Sequence, residues 1–317
     1  MKVGKISNTV LKRSVLKRIK KRGEILDAKP SVGSDCAVLK ASNDREVLLT
    51  TAAGRWPVYT ALNNITVKGG SLAAIQCSIT IPEKSEETEL KEIVSELERQ
   101  CECAGVPISG GHTEVAAYIE RPVVQVTGVG FAGEYTKKRK AIQGQDIIAA
   151  GYIGVSGIRT VSELKKNEIL KLYTEDVLER AIGSEAELLA VDKTTAGYEA
   201  GAEYMHDMSS GGIWAALWDM AEYSSVGFMV DFKAIPVRQE IIEICEIFDI
   251  NPYELESVGS IIMTSNYGNK VVEQLIKCGI PAAVIGKITE GNQKIIRNQD
   301  EIRYLDSPKP DEILKLM

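Results

Sequence analysis

The chain has 317 residues, 44% hydrophobic and 26% charged, which excludes a disordered or fibrous protein and points to two domains. Its formal net charge of −6 removes a general case for nucleic-acid binding. No run approaches the roughly 20 apolar residues that cross a bilayer, and no apolar signal core opens the chain, so a cytoplasmic protein is expected, with no membrane partner.

The predicted elements begin with a basic run. Lys12, Arg13, Lys17, Arg18, Lys20, Lys21 and Arg22 are threaded by Leu11, Val15 and Ile19 at helical spacing. This reads as a helix docked by its apolar stripe with a solvated basic face, or as a face laid on phosphates. Gly33-Ser34-Asp35-Cys36-Ala37-Val38 then sets a carboxylate beside a glycine at the mouth of a strand. A buried strand is expected over 46–51, a helix over 59–71 ending at Gly69-Gly70, and a strictly alternating strand over 75–81. Leu90, Ile93, Val94, Leu97, Cys101 and Ala104 mark the buried stripe of a helix stopping at Gly105. The run Ser109–Glu114 is read as a glycine-rich loop between that helix and a strand over 123–129.

The polar, basic stretch 133–144 is bounded by glycines and marks the domain boundary, giving domains over 1–134 and 145–310. The second domain opens with a strand over 146–150, followed by helices over 160–202. After them, His206-Asp207-Met208-Ser209-Ser210-Gly211-Gly212 is expected to run as a loop into a helix over 212–223, capped by Ser209 or Ser210. Strands over 228–232, 259–264 and 282–288, helices over 237–248 and 271–278, then a strand pair and a short helix complete two α/β domains of different topology. Six scattered cysteines argue for reduced thiols. Cys101 and Cys103 lie two apart on a helix, on opposite faces, which disfavours a shared metal.

Four segments could carry chemistry. Paired glycines at Gly110 and Gly111 leave N–H groups open to an anion, and His112 and Thr113 add an imidazole and a hydroxyl. Gly211 and Gly212 open a helix N-terminus, an anion site by its dipole. Asp35 sets a carboxylate beside a glycine, and the Asn63-Asn64…Lys68 stretch combines polar amides with a helix end. Each has a plainer reading as a tight turn, an aspartate cap or a helix-end charge.

In this order the segments resemble the aminoimidazole-ribonucleotide-synthetase-related superfamily, and within it most of all the hydrogenase-maturation dehydratase and its relatives. The resemblance runs from Gly4 to about Gly286. Its most specific part is His206-Asp207 with Gly211-Gly212, then Met220-Ala221-Glu222, Val226-Gly227, Ile235-Pro236-Val237-Arg238, and Ser257 to Ser260. It implies a homodimer whose N-terminal domains pair their sheets into a barrel, an α+β C-terminal domain, and ATP with Mg²⁺ in the groove between domains. It also implies a maturation partner protein and ATP-dependent phosphoryl activation of an unidentified substrate. Asp35 and Asn64 then fall at metal positions, and Asp35, Asn64, Lys68, Gly110, Gly111, His112, Thr113, Asp207, Gly211 and Gly212 at the nucleotide, with His112 and Asp207 catalytic.

Departures accompany the resemblance. The family's second acid before the strand is here Ser34, its strand-end aspartate is Ala52, and its Asn-Asp pair is Asn63-Asn64. The dehydratase carries a terminal cysteine that accepts the carbamoyl group, whereas this sequence ends Lys315-Leu316-Met317 and its last cysteine is Cys278. The same chemistry is therefore not expected by the same route. The alternative is a catalytically degenerate nucleotide- or metabolite-binding protein acting as a partner or regulator.

Overall fold

The computed structural model describes residues 6–19, 30–40, 46–136 and 139–317. These divide into two compact units, one over 35–40 and 46–136, the other over 6–19, 30–34 and 139–317.

The first unit holds β1 (Ala37–Lys40), β2 (Glu46–Ala53), α2 (Pro57–Thr66), β3 (Gly70–Pro82), α3 (Glu87–Ala104), β4 (Ile108–Ala116) and β5 (Val123–Ala132); α1 (Asn8–Val10) precedes them in the chain. The strands form one sheet in the order β1-β2-β5-β3-β4, with β3 and β4 parallel and the other pairs antiparallel. Period-two alternation decides its faces. Ala52, Ile75, Cys77, Ile79, Ile81 and Val126 pack against Val58 and Ala61 of α2 and Leu97 and Cys101 of α3. Each large apolar side chain so buried contributes about 1.5–3 kcal/mol. The opposite face is open, with Thr51, Ala53, Gln76, Ser78, Gln125 and Thr127 exposed. The left-handed Gly105 ends α3 as the sequence predicts.

Two local expectations change. The helix predicted over 59–71 stops at Thr66, because Gly70 already pairs with Ala132 as the first residue of a strand longer than the alternating run suggested. The loop predicted at Ser109–Glu114 is the body of β4, an edge strand. Gly111 is needed there for approach: a Cβ on it would meet the Cys77 carbonyl oxygen across the β3–β4 pair at 2.0 Å.

The second unit has a seven-stranded sheet in the order β12-β11-β8-β10-β6-β9-β7. Its strands are β6 (Asp146–Ala150), β7 (Tyr204–Met208), β8 (Gly227–Asp231), β9 (Ser260–Ser265), β10 (Ala282–Thr289), β11 (Lys294–Asn298) and β12 (Glu301–Tyr304). Helices α4 (Val155–Ile169), α5 (Glu175–Ile182), α6 (Val191–Ala200), α7 (Gly212–Ser224), α8 (Gln239–Ile247) and α9 (Gly268–Lys277) complete it. Ile213, Leu217 and Met220 of α7 pack on Ile147, Phe228, Val230 and Ile262. Across the sheet, Met205 and Met263 close on Gly197 of α6, where a Cβ would sit 2.7 Å from either. β7 replaces the predicted loop at 206–208. Its five residues are all buried, so no polar alternation marked it as a strand.

The N-terminal segment belongs to this second unit. Asn8 donates to Asp219 at 2.8 Å, and Lys12 pairs with Glu222, which also takes Lys294 at 3.2 Å. The apolar stripe is not docked as predicted: Val15 and Ile19 stay 37% and 44% exposed. Lys20, Lys21 and Arg22 of the basic run, and Gly4, lie outside the described residues. No helix among the described residues is long and apolar enough to cross a membrane.

Candidate functional site

In the first unit, the residues predicted to ligate a metal do come together. Asp35 precedes β1, Thr50 lies on β2, Asn64 on the last turn of α2, and Lys68 two residues beyond it. Thr50 Oγ1 donates to the Asp35 carbonyl at 2.9 Å and accepts from Asn64 Nδ2 at 3.0 Å. The Lys68 ammonium lies 3.3 Å from Asp35 Oδ2, their side chains only 17% and 6% exposed. The helix end favours a cation at Lys68, and Asp35 fixes where that cation points. Next to it, burial pushes the Cys36 thiol up to about 12, opposed by Lys68 and aided by Asp35.

This donor set does not fit the magnesium that the resemblance implies. Mg²⁺ demands about six oxygens at about 2.0–2.1 Å, usually including carboxylates whose charge offsets its dehydration. Here Asp35 already holds an ammonium, Asn64 turns its N–H toward Thr50, and Ala52 is a 5%-exposed core methyl. Among the described residues no three His, Cys, Asp or Glu side chains converge as a metal site.

The other predicted group of this unit lies elsewhere. Gly110, Gly111, His112 and Thr113 are on β4, at the edge of the sheet opposite β1. They lie in an edge strand rather than in the predicted loop. His112 stands on the surface 3.5 Å from Glu114, which meets Thr80 across the pair. Within one chain, His112 and Asp35 are therefore separated by the width of the sheet.

The remaining predicted residues belong to the second unit. Asp207 and His206 are interior residues of β7, 3% and 6% exposed, so Asp207 is not the helix cap that was its plainer reading. Neither Ser209 nor Ser210 caps α7; Gly211 does, with φ 83, and Gly212 follows at φ 61. Two consecutive left-handed residues demand glycine, and a Cβ on Gly212 would meet the Tyr253 carbonyl at 2.6 Å. One backbone donor at this helix start is met by the chain itself. Asp311 accepts from Gly211 N at 2.6 Å, Ile313 N at 3.0 Å and Glu256 N at 3.3 Å.

Three titratable groups near these elements had no sequence signal. Lys193 is 6% exposed and donates to the carbonyls of Glu187 and Leu189 at 3.0 and 2.7 Å. Burial pushes it down to about 8, against the attraction of Glu187, Asp192 and Asp207. Glu256 is pushed up to about 8 by burial and then by Asp311, with a Ser156 hydrogen bond opposing. Burial also raises Asp311, against its three backbone donors. Much of the second-half signature is architectural. Arg238 grips Glu187 through both carboxylate oxygens at 2.8 and 2.7 Å and covers the Tyr152 ring at 4.6 Å. Ser257 Oγ accepts from Gly154 N at 2.8 Å, and Ser260 Oγ donates to the Tyr152 carbonyl at 2.6 Å.

Comparison with known proteins places these units. The family model for the AIR synthase related protein N-terminal domain matches residues 33–132, and that for the C-terminal domain matches 143–298. The chain is similar to carbamoyl dehydratase HypE of Rhizobium leguminosarum bv. viciae, 28% identical over 252 residues, covering 77% of this chain and 70% of that one. Among solved structures, a HypE–HypF complex superposes with a TM-score of 0.70 at 19% identity, covering 87% of this chain and 94% of the other. A hydrogenase maturation protein HypE in complex with ATP gives 0.65 at 16% identity over 96% of both. These structures share the fold.

Proposed function

Because this chain belongs to the AIR synthase-related family, we propose that it binds ATP and acts in a HypE-like maturation step, activating an unidentified substrate by phosphoryl transfer. The observation that carries this is the convergence of Asp35, Thr50, Asn64 and Lys68 from three separate segments onto one nearly buried point. The Lys68 ammonium, held there by Asp35 at a helix end, is the group that would meet a phosphate. The relatives support the rest: one solved HypE is bound to ATP and another to HypF, which makes a maturation partner protein the expected second contact. A homodimer is proposed through the first unit, whose sheet leaves one face and the β4 edge uncovered, a surface that asks for a partner.

A second reading has its own observation. With Lys68 on Asp35 and Ala52 in the core, no set of carboxylates able to hold the metal of phosphoryl transfer is found among the described residues, which favours binding without turnover. Calorimetric titration with ATP and with a non-hydrolysable analogue, coupled to phosphate release, separates the two. Binding with release supports activation, binding without release supports the partner role, and no binding refutes both. Sedimentation yielding a monomer at every concentration refutes the homodimer.

A further inference from the structure

We infer that the Asp35 site carries its own cation, the Lys68 ammonium, and takes the phosphates of its ligand without a divalent metal. The inference rests on the nucleotide reading above and deepens it. A site built for Mg²⁺ gathers several anionic oxygens, which repel a polyphosphate until the metal arrives. Among the described residues no three acidic, His or Cys side chains gather here, and the Asp35 carboxylate is paired with Lys68 at 3.3 Å. The remaining positions point the same way. Thr50 spends its proton on the Asp35 carbonyl, Asn64 commits its N–H to Thr50 and offers no charge, and Ala52 is a buried methyl group. A metal on Asp35 would have to displace the ammonium or sit beside a like charge at the same oxygens.

Lys68 is held for this task from two sides. It follows Val67, the C-cap of α2, where the helix dipole favours a positive charge. Asp35 in turn is tied through its own carbonyl to Thr50 on β2, and Thr50 to Asn64 on α2. The ammonium is thus a point charge on a long stem, positioned by fixed backbone, and it supplies the positive end that a metal supplies at a carboxylate-rich site. Because the ammonium stands where a metal would, affinity is expected to be no weaker in EDTA than in Mg²⁺.

Two measurements on the full chain test this. Titration with ATP in excess Mg²⁺ and in EDTA reads the metal dependence; Lys68→Gln is expected to lower the EDTA affinity by about tenfold or more, the worth of one charge-assisted contact, and Lys68→Arg to retain most of it. Titration of the nucleotide-free protein with Mn²⁺, followed by electron paramagnetic resonance, is expected to reveal no site that Asp35→Asn abolishes. ATP binding that needs Mg²⁺, an Asp35-dependent Mn²⁺ site, or unchanged EDTA affinity in Lys68→Gln overturns the inference. If ATP binds under neither condition, the proposed function falls, and the Mn²⁺ titration still decides whether Asp35 takes a metal.

Discussion

Replacing the buried Lys193 by methionine turns its environment into a measurable slope. In the unfolded chain this lysine gives up its proton near 10.5, in the folded protein near 8, because burial outweighs the pull of Glu187, Asp192 and Asp207. Between those values the unfolded state holds one proton more, so wild-type stability rises with pH. The burden of burying the ammonium is full below pH 8 and gone above 10.5. At about 1.4 kcal/mol per pH unit, the whole window is worth about 3 kcal/mol. Lys193→Met has no such proton, and it loses the bonds to the Glu187 and Leu189 carbonyls at all pH values. Urea unfolding of both proteins at pH 7, 8, 9 and 10 cancels the other titrating groups. The stability difference, wild type minus variant, is expected to climb across this range, steeply above pH 8. A difference that stays flat refutes the assignment of a depressed lysine.

Three further outcomes follow from other parts of the molecule. Glu256→Gln removes a carboxyl held up to about 8, whose proton the folded state retains after the unfolded state has lost it; the variant should gain stability over wild type as pH rises from 5 to 8, by about 2 kcal/mol or more, in urea melts. Gly111→Ala puts a Cβ against the Cys77 carbonyl and should cost about 1–3 kcal/mol, with faster amide exchange along β4; an unchanged melting midpoint contradicts the β3–β4 pairing. A thiol reagent should label Cys103 and Cys278 rapidly, while Cys36, Cys101 and Cys245, buried and pushed up to about 12, react only on unfolding. Rapid labelling of more than two thiols in the native protein contradicts the burial.

The sequence by itself determined most elements of the second unit, and the reason is periodicity. The strand over 146–150 and the helices over 212–223 and 237–248 differ from β6, α7 and α8 by at most two residues at either end, since an apolar stripe or a short β-branched run leaves one economical way to bury itself. That Asp35, Asn64 and Lys68 share one site was implied only by the family resemblance, not by any local signal. Tertiary structure alone decided what those residues became. A glycine pair reads as a loop in a local window, yet at Gly110-Gly111 the parallel partner β3 made a strand. β7 escaped notice because both of its faces are buried and the alternation disappears. Lys193, Glu256 and Asp311 carried no pattern, for the pKa of a side chain is set by what folds around it. The Lys68–Asp35 contact belongs to the same class: the sequence offered a lysine at a helix end and an aspartate 33 positions earlier, and only the packing of α2 against β2 set the ammonium 3.3 Å from the carboxylate oxygen.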